Sequence, residues 1–97
     1  MRDKTKPIRL SEHAKQQLQF RGGTEQEVAQ TIRTETWGPA ELGRLECRKD
    51  FIFNSEWNKE YYTIKQVRPI FVEESDEIIV APCMSIIFRG ASHENHL

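Results

Sequence analysis

The spacing of apolar and polar positions changes period several times along the chain, and each change marks an element. Ile8 and Leu10 alternate with Arg9 and Ser11, the period of a short half-buried strand. From Glu12 the period lengthens to that of a helix, with Ala14 and Leu18 on its apolar stripe and Ser11 placed to cap its first N–H groups. Gly22 and Gly23 follow Arg21 and suit the left-handed conformation that closes a helix. Thr24 with Glu27 reads as a capping box, so a second helix starts at once and carries Val28, Ala29 and Ile32 on one side.

Thr36, Trp37, Gly38 and Pro39 end the helical pattern in a turn, with Trp37 expected as a lid on the core. Residues 40–43 fit either a loop or one helical turn. Alternation returns at Arg44: Leu45 and Cys47 face one way and Arg44, Glu46 and Arg48 the other, as in an antiparallel strand with one solvated face. Phe51-Ile52-Phe53 extends it, a polar loop from Asn54 to Lys59 turns the chain, and Tyr61 to Ile64 brings it back. The parity of apolar positions blurs between Ile64 and Phe71. Pro69 has no N–H to donate, so a bulge or break is predicted over residues 65–69. Ile70 to Val72, a turn at Glu74-Ser75-Asp76 and the apolar run from Ile78 to Ala81 follow, and Pro82 interrupts before Ile86-Ile87-Phe88. The prediction is an α+β domain, an N-terminal strand and two helices packed on an antiparallel sheet of three to five strands. Ile8, Leu10, Leu18, Val28, Ile32, Leu45, Ile64, Val72 and Ile79 are its expected core.

Composition narrows this picture. A chain of 97 residues is one domain, expected to span 1–97 with 1–6 and 89–97 as flexible ends. Hydrophobic residues make up only 37%, but five Phe, two Trp and two Tyr supply the large side chains a small core needs. No apolar run approaches a membrane span, and the start MRDKTKPIR lacks the apolar segment of a secretory signal. The expected location is cytoplasmic, with no membrane partner. Cys47 and Cys83 show no metal-type spacing and are expected as reduced thiols. No cofactor motif is present, and His93 with His96 near the end is too sparse a pair for a metal site. The net charge of −1 conceals an asymmetry, basic up to Arg33 and acidic from Glu73 onward. A nucleic-acid surface would therefore lie on the N-terminal half and the middle.

His13, Gln17 and Arg21 stand four apart along the border of the first helix's apolar stripe. His13 either carries a proton or packs at the strand-to-helix junction; Arg21 either holds an anion or pairs with helix carbonyls or a nearby Glu.

The order strand, Ser-x-His-Ala, helix, Arg-Gly, Thr-x-x-Glu-Val, helix, then sheet resembles a family of small prokaryotic domains of unknown function. The residues that carry the resemblance are Ser11, His13, Ala14, Arg21, Gly22, Thr24, Glu27 and Val28, then Tyr62, Lys65, Gln66 and Val67, within roughly Ile8 to Ala81. That family is similar in outline to the RelE and BrnT type toxins, small α+β ribonucleases whose sheet carries basic active-site residues. The resemblance implies a metal-independent endoribonuclease acting on RNA, with a cognate antitoxin protein as partner. Cleaving RNA through its 2′-hydroxyl needs a proton acceptor, cations at the charged phosphorus centre and a proton donor. On that implication His13 and Lys65 are the candidate catalytic residues, and Arg21, Arg48 and Arg68 the candidate substrate-binding ones, with no metal, and they must converge on one groove. In the competing reading the same side chains are only the solvated face of a half-exposed sheet in a partner-binding domain. The alternative is a non-catalytic protein-binding or degenerate toxin-like module. One departure stands out: where family members carry a Thr-Val-Tyr type sequence, this chain has Ala81-Pro82-Cys83-Met84. If a C-terminal tyrosine takes part in the family's chemistry, this protein has lost it. Nothing in the pattern sets an oligomeric state.

Overall fold

Local signals place the helices where the sequence puts them. The computed structural model describes residues 5–82 and 84–90, beginning with β1 (Ile8–Leu10), α1 (Glu12–Phe20) and α2 (Glu25–Thr34). The Ser11 hydroxyl accepts from Ala14 N–H at 3.1 Å, capping α1. At the other end Gly22 takes φ +84°, Gly23 N–H donates to Leu18 C=O at 2.9 Å and Gly22 N–H to Gln19 C=O at 3.1 Å, a Schellman closure. The capping box of α2 is complete in both directions: Glu27 N–H donates to Thr24 Oγ1 at 3.1 Å and Thr24 N–H to Glu27 Oε1 at 3.0 Å.

The strands that follow are β2 (Gly38–Pro39), β3 (Leu45–Glu46), β4 (Lys49–Trp57), β5 (Glu60–Arg68), β6 (Ile70–Glu73), β7 (Ile78–Val80) and β8 (Ser85–Arg89). The class is α+β, with two helices packed against sheet, but the strands divide between two sheets. One has the order β1-β7-β6-β3-β2, antiparallel except for the parallel pair β1 and β7; the other is the antiparallel set β4-β5-β8. Pro69 is where the chain passes from one sheet to the other. It is fully buried between β5 and β6, and its missing N–H ends the β5 ladder. Pro82 lies in a turn beyond β7, where the chain leaves that sheet, and Ile86-Ile87-Phe88 lie in β8 of the other.

Two expectations are corrected. Asn54 to Lys59 is not a loop: β4 continues to Trp57, bulged between Ile52 and Ser55 where Asn54 takes φ +44°, and only Asn58 and Lys59 turn, both left-handed. Asparagine tolerates that region better than most residues, which lets so tight a connection form. Of the segments 1–6 and 89–97, only residues 5, 6, 89 and 90 are among the described ones. Lys6 Nζ pairs with Glu73 at 3.0 Å, and Arg89 lies in β8 and pairs with Asp50 at 3.1 Å. Cys83, His93 and His96 lie outside the described residues.

The second correction concerns the core. Leu10, Leu18, Val28 and Ile32 are buried, and Ile8 and Leu45 pack against them, but Ile64, Val72 and Ile79 are only half-buried. The opposite parity wins: Lys65 and Val67 on β5, Phe71 on β6, and Ile78 and Val80 on β7 face inward. On β6 and β7 the choice follows size, because one register buries Phe71 opposite Val80 and the other would bury Val72 opposite Ile79. Trp37 is indeed a lid, its ring edge-on to Phe71 at 5.0 Å and its Nε1–H donating to Ile32 C=O at 2.8 Å. Among the described residues no helix is long and apolar enough to cross a membrane.

Candidate anion-binding cleft

The turn that joins α1 to α2 lies flat on the inner face of the three-stranded sheet. A Cβ added at Gly22 would approach Trp57 to 3.0 Å and Phe88 to 3.1 Å, and one at Gly23 would meet Leu18 at 2.5 Å and Ile86 at 3.0 Å. Close approach selects glycine here as much as the positive φ does. Beneath the turn, Trp57 stacks on Phe88 at 5.4 Å, with Phe53 and Tyr62 also against Phe88.

Lys65 is built into this junction. It is 4% exposed, and its Nζ donates to Glu27 Oε1 and to Gly22 C=O, each at 2.9 Å, while standing 5.1 Å above the Phe53 ring centroid. Glu27 Oε1 therefore receives both the Thr24 N–H and the lysine. The ammonium is satisfied by charge, carbonyl and aromatic faces together, which is what permits a lysine on the buried side of a strand. Most residues that carry the family resemblance have structural work in view: Ser11 and Thr24 cap, Gly22 closes the turn, Glu27 and Lys65 pair, and Val67 is core.

A different group of residues lines an open cleft of about 720 Å³ at the seam between the sheets. Arg21 comes to it from the end of α1, Arg44 from the turn just before β3, and Arg68 from the last position of β5, with Glu41, Glu46, Met84 and Ser85 completing much of the wall. Arg68 Nε donates to Glu46. One rim is a tight turn in which Ala40 N–H donates to Arg44 C=O at 2.8 Å and Arg44 N–H to Glu41 C=O at 3.2 Å. Its central residues, Leu42 and Gly43, have φ +59° and +72°, the geometry of a type I′ hairpin turn. Leucine in that region costs about 1–2 kcal/mol, and this one is 85% exposed, so burial does not offset the strain.

Of the five sequence candidates, Arg21 and Arg68 meet in this cleft. Arg48 is exposed and lines a smaller cavity of about 350 Å³ that shares Pro39 and Glu46 with the first. His13 is exposed in the first turn of α1, packing at the strand-to-helix junction less than the structural reading supposed. Helix rise alone separates it from Gly22, Lys65's partner, by about 13 Å along the axis. Sequence reasoning missed Arg44. The signal was present in its parity, since Arg44 and Glu46 share a strand face, but which face closed over a cavity was not.

Chemically, three guanidinium groups against two carboxylates give the cleft an excess of positive charge. Guanidinium forks suit phosphate or carboxylate oxygens. Among the described residues no cluster of three His, Cys, Asp or Glu side chains is placed to hold a metal ion. Comparison with family models, curated proteins and solved structures finds no match.

Proposed function

We propose that the chain is an RNA-binding module of toxin-like type, which holds phosphates in the arginine cleft and does not cleave through His13 and Lys65. The gathering of Arg21, Arg44 and Arg68 on one open cavity carries this reading. Phosphate neutralisation supplies much of the affinity of proteins for nucleic acid, and three arginines from three elements form a local surface for it despite the overall charge of −1. Cleavage is the weaker part of the toxin analogy. Lys65 is occupied by Glu27 and Gly22, and the proton carriers on the cleft wall are Glu41 and Glu46, the latter already bound by Arg68.

The test is a titration of fluorescein-labelled RNA with purified protein between about 50 and 200 mM salt, with anisotropy as the readout. Engagement of three phosphates on a single strand predicts a slope of log K against log salt near −2, and Arg21→Ala or Arg44→Ala should each reduce it by about 0.7. Absence of binding at the lowest salt rejects the proposal. RNA shortened by the parent, but not by Lys65→Met of equal stability, would restore the catalytic reading.

A second reading, a module that binds an antitoxin-like protein, draws on another surface. On the outer face of the three-stranded sheet Ile52 is 82% exposed and lies opposite half-buried Ile64, with exposed Ile87 on β8. Contiguous exposed apolar residues mark protein contacts more often than nucleic-acid ones. If that reading holds, Ile52→Asp abolishes capture of a protein partner and leaves the salt slope for RNA unaltered.

A further inference from the structure

We infer that the cleft takes unpaired RNA, its bases resting on Phe20 and Leu42 while the arginines hold the phosphates; this deepens the RNA reading above and rests on it. Two of the three most exposed large apolar side chains of the described residues are Leu42, at 85%, and Phe20, at 81%. Leu42 lines the cleft itself, and Phe20 is the chain neighbour of Arg21, which does. Neither placement serves the fold. Phe20 is two positions from buried Leu18, which turns it to the far side of α1 from the core. Leu42 is displayed on a left-handed backbone that glycine or asparagine would adopt more readily.

The ligand that suits such a rim carries anionic groups and flat apolar groups in alternation. Successive positions at the end of a helix point about 100° apart. Phe20 and Arg21 therefore offer an aromatic face and a guanidinium in diverging directions from adjacent backbone atoms, as a base and its phosphate diverge from one sugar. Aromatic platforms beside a basic groove are the recurring means of holding single strands, because an unpaired base exposes its face and a paired one does not. A cleft of about 720 Å³ has the size of a small-molecule site and can receive a short piece of strand. An acidic peptide with aliphatic side chains shares part of this chemistry, but it lacks the aromatic planes that stack on Phe20.

The experiment compares fluorescein-labelled oligouridine with a labelled RNA duplex of the same length, using the parent, Phe20→Ala, Leu42→Asn and the remote control Ile52→Ala. Asparagine tolerates the positive φ at position 42, and Phe20 is exposed, so both variants should fold. The expected result is preference for the single strand, a loss of about fivefold or more in Phe20→Ala, a smaller loss in Leu42→Asn, and none in Ile52→Ala. The salt slope should stay at the parental value in both cleft variants, because apolar contacts release no counterions, and this separates their role from that of the arginines. Single-strand binding equal to the parent in both variants, equal affinity for the duplex, or displacement of the RNA by a Glu/Leu-rich peptide at equal concentration overturns the inference while leaving phosphate binding in place. Absence of any RNA binding by the parent overturns both.

Discussion

Removing the Lys65 ammonium separates a structural lysine from a catalytic one. Lys65→Met keeps the apolar stem beside Phe53 and Val67 but leaves Gly22 C=O without its donor and Glu27 without its cation. The orphaned carbonyl sets the scale, about 1–3 kcal/mol. Glu27 adds little, because its side chain is 22% exposed and still accepts the Thr24 N–H. Glu27→Gln is the more damaging half. Glutamine can keep the capping box, but the lysine charge, 6% exposed at its side chain, is left without a counter-charge. Breaking a buried pair in this way costs about 3–5 kcal/mol, and Gly22 C=O with the two aromatic faces holds the value near the low end. The double variant, with neither charge, should recover part of the Glu27→Gln loss. Urea unfolding reads all three: at about 1–3 kcal/mol per molar, a loss of about 3 kcal/mol moves the midpoint by about 1–3 M. Parental stability in Lys65→Met would refute the structural account. Parental stability together with lost action on RNA would return Lys65 to the chemistry.

Gly22→Ala should destabilise by about 2 kcal/mol or more, from the left-handed conformation and from a Cβ 3.0 Å from Trp57, and should shift the tryptophan emission as the ring moves. Leu18→Ala, at a site 1% exposed, should cost about 2–5 kcal/mol in chemical denaturation without changing the RNA salt slope. Arg9 grips Glu77 through two hydrogen bonds, of 3.0 and 3.2 Å, and they hold the Glu77 carboxyl below its usual range. A depressed carboxylate stabilises the fold above the unfolded-state pKa, and that contribution is lost as pH falls through the lower folded value. Carboxyl NMR titration of Arg9→Ala should show Glu77 back in the ordinary range, and added salt should weaken the effect because the pair is at the surface.

Much of the N-terminal half was legible because its signals are local. Ser11, the Thr24 and Glu27 box and Gly22 act within a few residues of themselves, so a capped helix, a tight closure and a second helix can be read without knowing what surrounds them. Pro69 and Pro82 likewise mark breaks through a donor each lacks. Tertiary structure decided the rest, because the deciding partner lies elsewhere in the chain. Lys65 faces inward only because Gly22, 43 residues away, and Glu27 receive its charge; by apolar parity alone Ile64 has the better claim to that side. The parallel pairing of β1 with β7 joins segments near opposite ends of the chain, as the Arg9 to Glu77 contact across 68 residues does. Arg21, Arg44 and Arg68 are ordinary positions on a helix end, a turn and a strand end, and become a cleft only when Pro69 divides the strands into two sheets. Periodicity records which side of an element is apolar, whereas a site depends on which elements meet, and that follows from burying Phe71, Leu18 and Ile32 together.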